Sequence, residues 1–361
     1  MAQSLSVAAI PGDGIGKEVV PAAIRCIEEA IEPYEVRIEW VHLDWGSDYY
    51  RAHGAMLPPD GIATLSTTDA IFLGAVGMPD IPDTVTLWGL LIPIRRAFEQ
   101  YINLRPARAL PGVKSPVSGG DAMDLMIVRE NNEGEYSEIG GRVFPGLENE
   151  MAIQESVFSR KGVARVTRFA AELALARKGK VTSATKSNGI LHTMPFWDEI
   201  VEEVLGEYPS VHLESVLIDA LSAKLVLAPG SFDVIVASNL FGDILSDLAG
   251  AVAGSIGVAP SANLNPERRY PSLFEPVHGS APDIAGLGIA NPIGQIWSGA
   301  MMLDHLGHPA PGRDLIAAFE AVLASGRSTR DLGGVETTDG FADLIIAELR
   351  DRTSRGVQAA Q

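Results

Sequence analysis

Two apolar patterns alternate along the chain, and this constrains the fold more than any other feature. Short, nearly continuous apolar runs rich in β-branched residues, such as residues 69–76 (DAIFLGAV) and 232–237 (FDVIVA), read as strands buried on both faces. Longer stretches carry apolar residues at helical spacing; over residues 17–31, Val20, Ile24, Ile27 and Ile31 share one side. The same reading places strands at 4–10, 36–40, 123–128, 180–185 and 211–218. Helices are expected over 87–101 (disturbed by Pro93), 160–178, 191–205 and 220–228, and from about 291, 314 and 341. Strands alternating with helices mean an α/β fold with a largely parallel sheet. Chemistry is then expected at strand carboxyl ends, and Arg129, Lys186, Asp219 and Ser238 each follow a strand directly.

The stretch 232–250, FDVIVASNLFGDILSDLAG, combines a strand, a turn at 238–240 and a helix from Gly242, with Ile244, Leu245 and Leu248 on its apolar side. Asp243 and Asp247 are four apart and share a helix face, where like charges repel. No Lys or Arg lies between Lys224 and Arg268 to compensate locally. Two such carboxylates past a strand end suit a hard divalent cation, Mg²⁺ or Mn²⁺. The plainer alternative is that Asp243 serves the helix amino end and Asp247 is solvated.

At 361 residues the chain is long enough for about two domains. A net charge of −18 argues against nucleic acid and anionic membrane as partners, and makes any cluster of arginines informative. The single cysteine, Cys26, lies in a helical pattern and reads as core; with no disulfide framework, a reducing compartment and hence the cytoplasm is expected. The N-terminus MAQSLSVAAIPGDG lacks a signal-peptide pattern, no run approaches a membrane span, and the polar tail from Asp351 is expected to fray.

The loop Gly12-Asp13-Gly14-Ile15-Gly16 invites a dinucleotide-binding reading that its spacing does not support. It is not G-x-G-x-x-G, and no acid ends the second strand near Val41; Asp44 is only a weak substitute. A tight turn is the preferred reading. Arg95, Arg105 and Arg129 offer bidentate forks for carboxylates in an acidic protein, although each alone could be a surface arginine. Tyr136 and Lys186 could carry protons if arginines or a metal tune them. Asp219 follows an apolar strand and opens a helix, as an N-cap or as a ligand. The loop Gly279 to Asp283, within EPVHGSAPDIAG, could wrap a nucleotide with backbone N–H groups, His278 and Asp283, although by composition alone it is only a loop.

Together these stretches resemble the β-decarboxylating hydroxyacid dehydrogenases, which include isopropylmalate, isocitrate, homoisocitrate, D-malate and tartrate dehydrogenases. The resemblance spans nearly the whole chain. It rests on IPGDGIG, NLRPAR at Asn103, VRENNEGEYS at Val128, KSN at Lys186, NLFGDILSDLAG at Asn239 and EPVHGSAPDIAGLGIANP at Glu275. It implies an isopropylmalate-dehydrogenase-like two-domain α/β fold around a central, largely parallel sheet, and not a Rossmann fold. Residues 1–99 with 252–361 would form the larger, cofactor-binding domain. Residues 100–251 would form the smaller one, with dimer contacts and the metal carboxylates.

Residue by residue, the resemblance assigns Asp219, Asp243 and Asp247 to Mg²⁺ or Mn²⁺, and Arg95, Arg105 and Arg129 to the substrate carboxylates. Lys186 and Tyr136 become the acid–base pair, and Trp88, Leu91 and Asn188 further substrate contacts. NAD would lie against Gly74, Val76, His278, Gly279, Ser280, Ala281, Pro282, Asp283, Ile284 and Asn291. A monovalent cation is a further candidate. A homodimer would share its active sites, Lys186 and Asp219 facing the other copy's Asp243, Asp247 and Arg129.

The substrate implied is a hydroxy-dicarboxylate of the malate type. Asn132 stands where Thr is common, Leu90 where a Ser is often seen, and Pro93 where relatives have a helix former. Trp88, Leu90 and Leu91 are expected to face the C3 substituent, and bulky Trp88 leaves less room for an isopropyl group. The LWG stretch and RENNEGEYSEIGGR look most like D-malate and tartrate dehydrogenases. A 3-isopropylmalate dehydrogenase is the alternative within the family; a non-catalytic, regulatory relative is the alternative of another class.

Overall fold

The computed structural model describes residues 3–359 of the chain, with side chains over 4–355. It opens with β1 (Gln3–Gly12), α1 (Gly16–Ile31), β2 (Val36–His42), α2 (Ser47–His53), α3 (Gly61–Leu65) and β3 (Ala70–Ala75). Next come α4 (Asp83–Thr86), α5 (Ile92–Ala97), β4 (Ile102–Arg108), β5 (Asp124–Glu130) and the hairpin β6 (Gly140–Val143) and β7 (Met151–Gln154). The middle continues through α6 (Arg160–Leu175), β8 (Lys180–Thr185), α7 (Thr193–Leu205), β9 (His212–Leu217), α8 (Ile218–Leu227), β10 (Val234–Ala237) and α9 (Asn239–Ala253). The chain closes with β11 (Pro260–Leu264), β12 (Ser272–Pro276), α10 (Ile293–His305), α11 (Pro309–Ala324) and α12 (Thr338–Ala359).

The chain divides into two compact units. The first comprises Met1–Gln100, Ala109–Pro116 and Ala253–Gln361; the second comprises Tyr101–Arg108 and Val117–Val252. In the first unit the strands run in the order β2-β1-β3-β12-β11, parallel except for the β11–β12 pair. Ala8, Ile10, Ile71, Leu73 and Leu273 pack on one face against Leu90, Ile94 and Phe98. In the second unit the order is β4-β5-β10-β8-β9, parallel except for β4–β5. Each unit is thus an α/β layer structure, as the alternation of patterns requires.

Several expectations need correction. The tail from Asp351 does not fray at its start: α12 runs unbroken to Ala359, and residues 360–361 lie outside those described. The expected helix 87–101 is two pieces, preceded by a short helix and ending four residues early. After α4, residues Leu87–Leu91 form a π turn, with Ile92 N–H donating to Leu87 O; α5 then ends at Ala97. Pro93 has no N–H to return to the preceding turn, and widening the helix just before it is one way to absorb that loss. Hairpin β6–β7 went unread because its residues bury nothing that imposes a period. Its neighbourhood exposes apolar side chains, with Ile139, Phe144, Leu147, Met151 and Ile153 each 47–60% exposed. Two strands alone are marginal in water.

Candidate active site

The register of the second unit brings the first half of the site together. Strands β4 and β5 pair antiparallel with Asn103 opposite Arg129 and Arg105 opposite Ile127, so the two arginines are diagonal neighbours on one sheet face. Parallel pairing sets Ala237 of β10 beside Arg129, and the chain turns there into α9. Gly242 on the first turn of α9 lies against Arg129; a Cβ there would fall 2.6 Å from the arginine's own Cβ. This close approach lets the guanidinium run along the helix. Its Nε and Nη2 donate to Asn239 Oδ1 at 3.1 and 2.7 Å, and its Nη1 donates to Asp243 Oδ1.

Asp243 is the junction. Arg105 Nη1 donates to its Oδ1 at 3.2 Å, and the Tyr136 hydroxyl donates to its Oδ2 at 2.9 Å. Arg105 also donates to Ser246 Oγ at 2.6 Å and lies 3.7 Å from Asp247 Oδ1. Arg129 sits over the Tyr136 ring, 5.6 Å from its centre. The acids that have no cation near them in sequence are therefore compensated by two arginines more than 100 positions away, delivered by neighbouring strands. Partial burial raises the Asp247 carboxyl above its ordinary value; Arg105 opposes this and the charge of Asp243 adds to it. Ile244, expected on the apolar side of this helix, is 51% exposed, whereas Leu245 and Ala249 are buried. The turn expected at 238–240 is shorter, because α9 already starts at Asn239.

Lys186 follows β8 and Asp219 opens α8 after β9, and the parallel β8–β9 pair sets these two strand ends side by side. Lys186 Nζ donates to Asp219 Oδ1 at 2.7 Å, and this bond holds the Asp219 carboxyl below its ordinary value. Asn188 is exposed in the following turn. Among the described residues no three His, Cys, Asp or Glu side chains are gathered to hold a metal. The structure brings Asp243 and Asp247 together with the arginines and Asp219 together with Lys186.

The acids of RENNEGEY escaped the sequence reading as site residues. Glu135 accepts from Ser238 Oγ at 2.8 Å and from Leu240 N–H at 3.0 Å, closing the amino end of α9. Glu133 accepts from Ser159 N–H and Oγ at 2.7 and 2.6 Å, where Ser159 caps α6. Three glutamates within six positions, at and just past a strand end, were the available signal.

In the first unit, residues 76–83 after β3 and residues 279–282 line a groove of about 690 Å³. Val76, Gly279, Ser280, Ala281 and Pro282 lie on it. Gly74 is one step inside β3, packed on Pro11 O. His278 Nδ1 contacts Gly279 O at 3.0 Å; its Nε2 is buried with no hydrogen-bond partner, and burial lowers its pKa. Asp283 is exposed, and Ile284 packs on Ile15 and Val19. Asn291 accepts from Ile293 N–H at 2.9 Å and donates to Asp331 at 3.0 Å.

The PGDGIG loop braces this groove as a turn. Buried Asp13 accepts from Gly77 N–H at 2.8 Å and from Ser47 N–H and Oγ at 2.8 and 2.6 Å. Gly14 (φ +51°) packs on Ser280 O, leaving no room for a side chain. Arg95 of α5 is buried and donates to Glu275 at 3.0 Å. Trp88, on the π turn, is half-buried with Arg96 over its ring at 5.1 Å. Leu90, expected to face the substrate's C3 group, instead packs fully buried in the core beneath β1 and β3, and Leu91 is partly buried against it. The π turn changes which side chains point inward, which a regular helical wheel cannot anticipate.

The sequence pattern of "Isocitrate/isopropylmalate dehydrogenase" matches residues 6–345. A protein of Bacillus subtilis called probable tartrate dehydrogenase/decarboxylase is 53% identical, across 96% of this chain and 99% of its own. The D-malate dehydrogenase (decarboxylating) of Escherichia coli is 54% identical, across 96% and 98%. Among solved structures, isocitrate dehydrogenase from Methylococcus capsulatus superposes with a TM-score of 0.88 at 36% identity, covering 96% of this chain and 99% of the other.

Proposed function

The chain belongs to the isocitrate/isopropylmalate dehydrogenase family, and on that premise we propose that it oxidatively decarboxylates D-malate. NAD⁺ is the hydride acceptor and Mg²⁺ or Mn²⁺ the metal, and tartrate and alkylmalates are slower substrates. The observation that carries this reading is the convergence of Arg105, Arg129 and Tyr136 on Asp243. Two cationic forks and a phenol around one carboxylate are a set that binds a dicarboxylate and moves a proton beside it. The names of relatives at 50–54% identity favour D-malate and tartrate over isopropylmalate.

The residues present fit the groups the family uses. Asp243 and Asp247 supply hard oxygen donors on one helix face, with the Asp247 carboxyl pushed toward neutrality, a mismatch that a cation relieves. Asp219 would complete the set from a second copy of the chain. The exposed apolar side chains of the β6–β7 hairpin and of Leu191 and Leu227 suit such a homodimer. The groove at 76–83 and 279–282 suits NAD, with backbone open at Gly279 and His278 Nε2 lacking a protein partner. Asp283 would accept from ribose hydroxyls and repel a 2′-phosphate, which favours NAD⁺ over NADP⁺. The single buried Cys26 suits a reducing, cytoplasmic setting.

When bound, the cation supplies a Lewis acid at the C2 oxygen and the nicotinamide a hydride acceptor. The family resemblance assigns Arg95, Arg105 and Arg129 to the substrate carboxylates and Trp88 to the C3 side. With Nζ as the free amine, Lys186 would take the hydroxyl proton as hydride leaves C2. The bond from C3 to its carboxylate then breaks, CO₂ leaves, and Tyr136 returns a proton to C3.

A kinetic panel of D-malate, L- and meso-tartrate, 3-isopropylmalate and isocitrate with Mn²⁺ tests the reading. D-malate is expected to have the highest kcat/KM, NAD⁺ to exceed NADP⁺, and excess chelator to stop turnover. A lead of about tenfold or more for 3-isopropylmalate would make this a leucine-pathway enzyme instead. No turnover of any acid would favour a non-catalytic relative.

A further inference from the structure

Glu130 has no part in the chemistry above, yet it ends β5 directly after Arg129 and is 1% exposed. Its Oε2 accepts backbone N–H bonds from Asn132 at 3.0 Å and Glu133 at 2.6 Å. These two bonds fold the chain back immediately past Arg129, and the returning segment delivers Tyr136 to the carboxylate that Arg129 also holds. Glu130 Oε1 is buried and receives no hydrogen bond. The cation facing it is Arg165 of α6, whose Nη2 lies 3.7 Å away. Arg165 in turn lies over the Tyr101 ring beside β4, at 4.1 Å, and its Nε is buried without a hydrogen bond. From the turn itself, the charge of Glu133 opposes Glu130.

We propose that Glu130 is a positioning residue for the dehydrogenase site: its buried carboxylate holds the 130–136 turn through two backbone N–H groups, and its negative charge keeps Arg129 and Tyr136 set for the substrate. The proposal rests on the substrate-binding reading of Arg129 and the proton-carrying reading of Tyr136. An ionised carboxylate is a stronger acceptor for those N–H groups than a protonated one. Burial, assisted by the charge of Glu133, pushes the Glu130 carboxyl up to about 7 against the Glu133 and Asn132 N–H groups and Arg165. The turn therefore tightens as pH rises through neutrality and loosens as it falls.

The test is the pH dependence of kcat and KM between pH 5.5 and 8.5, measured on the holoenzyme with whichever hydroxy acid of the panel above turns over best. A different preferred acid would revise the D-malate reading and leave this one intact. Wild type is expected to show KM rising about fivefold as pH falls through about 7, with kcat changing less. Glu130→Gln keeps an acceptor for the turn but no charge. It is expected to show the high, acid-side KM at every pH, with that inflection gone. Arg165→Met removes the cation facing Oε1 and is expected to move the inflection to higher pH, and it decides the matter if Glu130→Gln does not fold. An inflection unmoved in both variants, or a Glu130→Gln defect equal in kcat and KM at every pH, overturns the proposal.

Discussion

Asp243 ties together strand, turn and helix. It accepts from Arg105, Arg129 and Tyr136, so its charge is shared among three donors, and the proposed function also assigns it to the metal. Asp243→Asn keeps the shape and removes the charge. We expect kcat to fall about 10³-fold. We also expect the protein to lose about 1–3 kcal/mol of stability, because buried Arg129 loses its charged acceptor. Kinetics and denaturant unfolding measured together check both, and near-wild-type turnover would remove Asp243 from the metal site. Gly242→Ala tests the other side of Arg129. Its new Cβ would meet Arg129 at 2.6 Å, costing about 1–3 kcal/mol. KM for the hydroxy acid should rise about tenfold as the fork is displaced; an unchanged KM would show that Arg129 does not hold substrate. The placement of Arg129, Lys186 and Asp219 at strand ends was legible because apolar runs mark where strands stop. Glu130, Glu133 and Glu135 were not, because their partners are backbone N–H groups and the hydroxyls of Ser159 and Ser238, which only the fold brings to them.

At the scale of the element, the π turn Leu87–Leu91 departs most from expectation. The helical pattern was readable and Pro93 marked a disturbance, but the register shift it accompanies sends Leu90 into the core and leaves Trp88 half-buried under Arg96. Under the proposed function, Trp88 is the side chain of this turn assigned to the substrate's C3 substituent. Trp88→Leu is expected to raise the 3-isopropylmalate to D-malate ratio of kcat/KM by about tenfold, within the range hydrophobic pockets discriminate. An unchanged ratio would place the specificity elsewhere. The β6–β7 hairpin was missed for the opposite reason: both strands face outward within one chain, so nothing imposes a period on their sequence.

For the whole molecule, the homodimer proposed above would join the pair Asp219 and Lys186 of one copy to Asp243 and Asp247 of the other. Mixing inactive Lys186→Met and Asp243→Asn chains should restore one intact site per heterodimer, read as recovered turnover once exchange is confirmed by mass. Exchange without recovery would mean that each chain works alone.

The alternation of strand and helix patterns, the motif order and the arginine, lysine and aspartate positions were determined by sequence alone, because period and strand-end placement are local properties. Which cation meets which acid was a tertiary matter. Arg105 and Arg129 reach Asp243 only because the β4–β5 and β5–β10 registers bring distant strands beside α9. Glycine spacing favoured a tight turn for PGDGIG; only the packed structure showed which groups the loop meets, Asp13 accepting from Gly77 and Gly14 packing on Ser280. Pairing register and side-chain burial arise from contacts between residues far apart in the chain, and no local pattern encodes them.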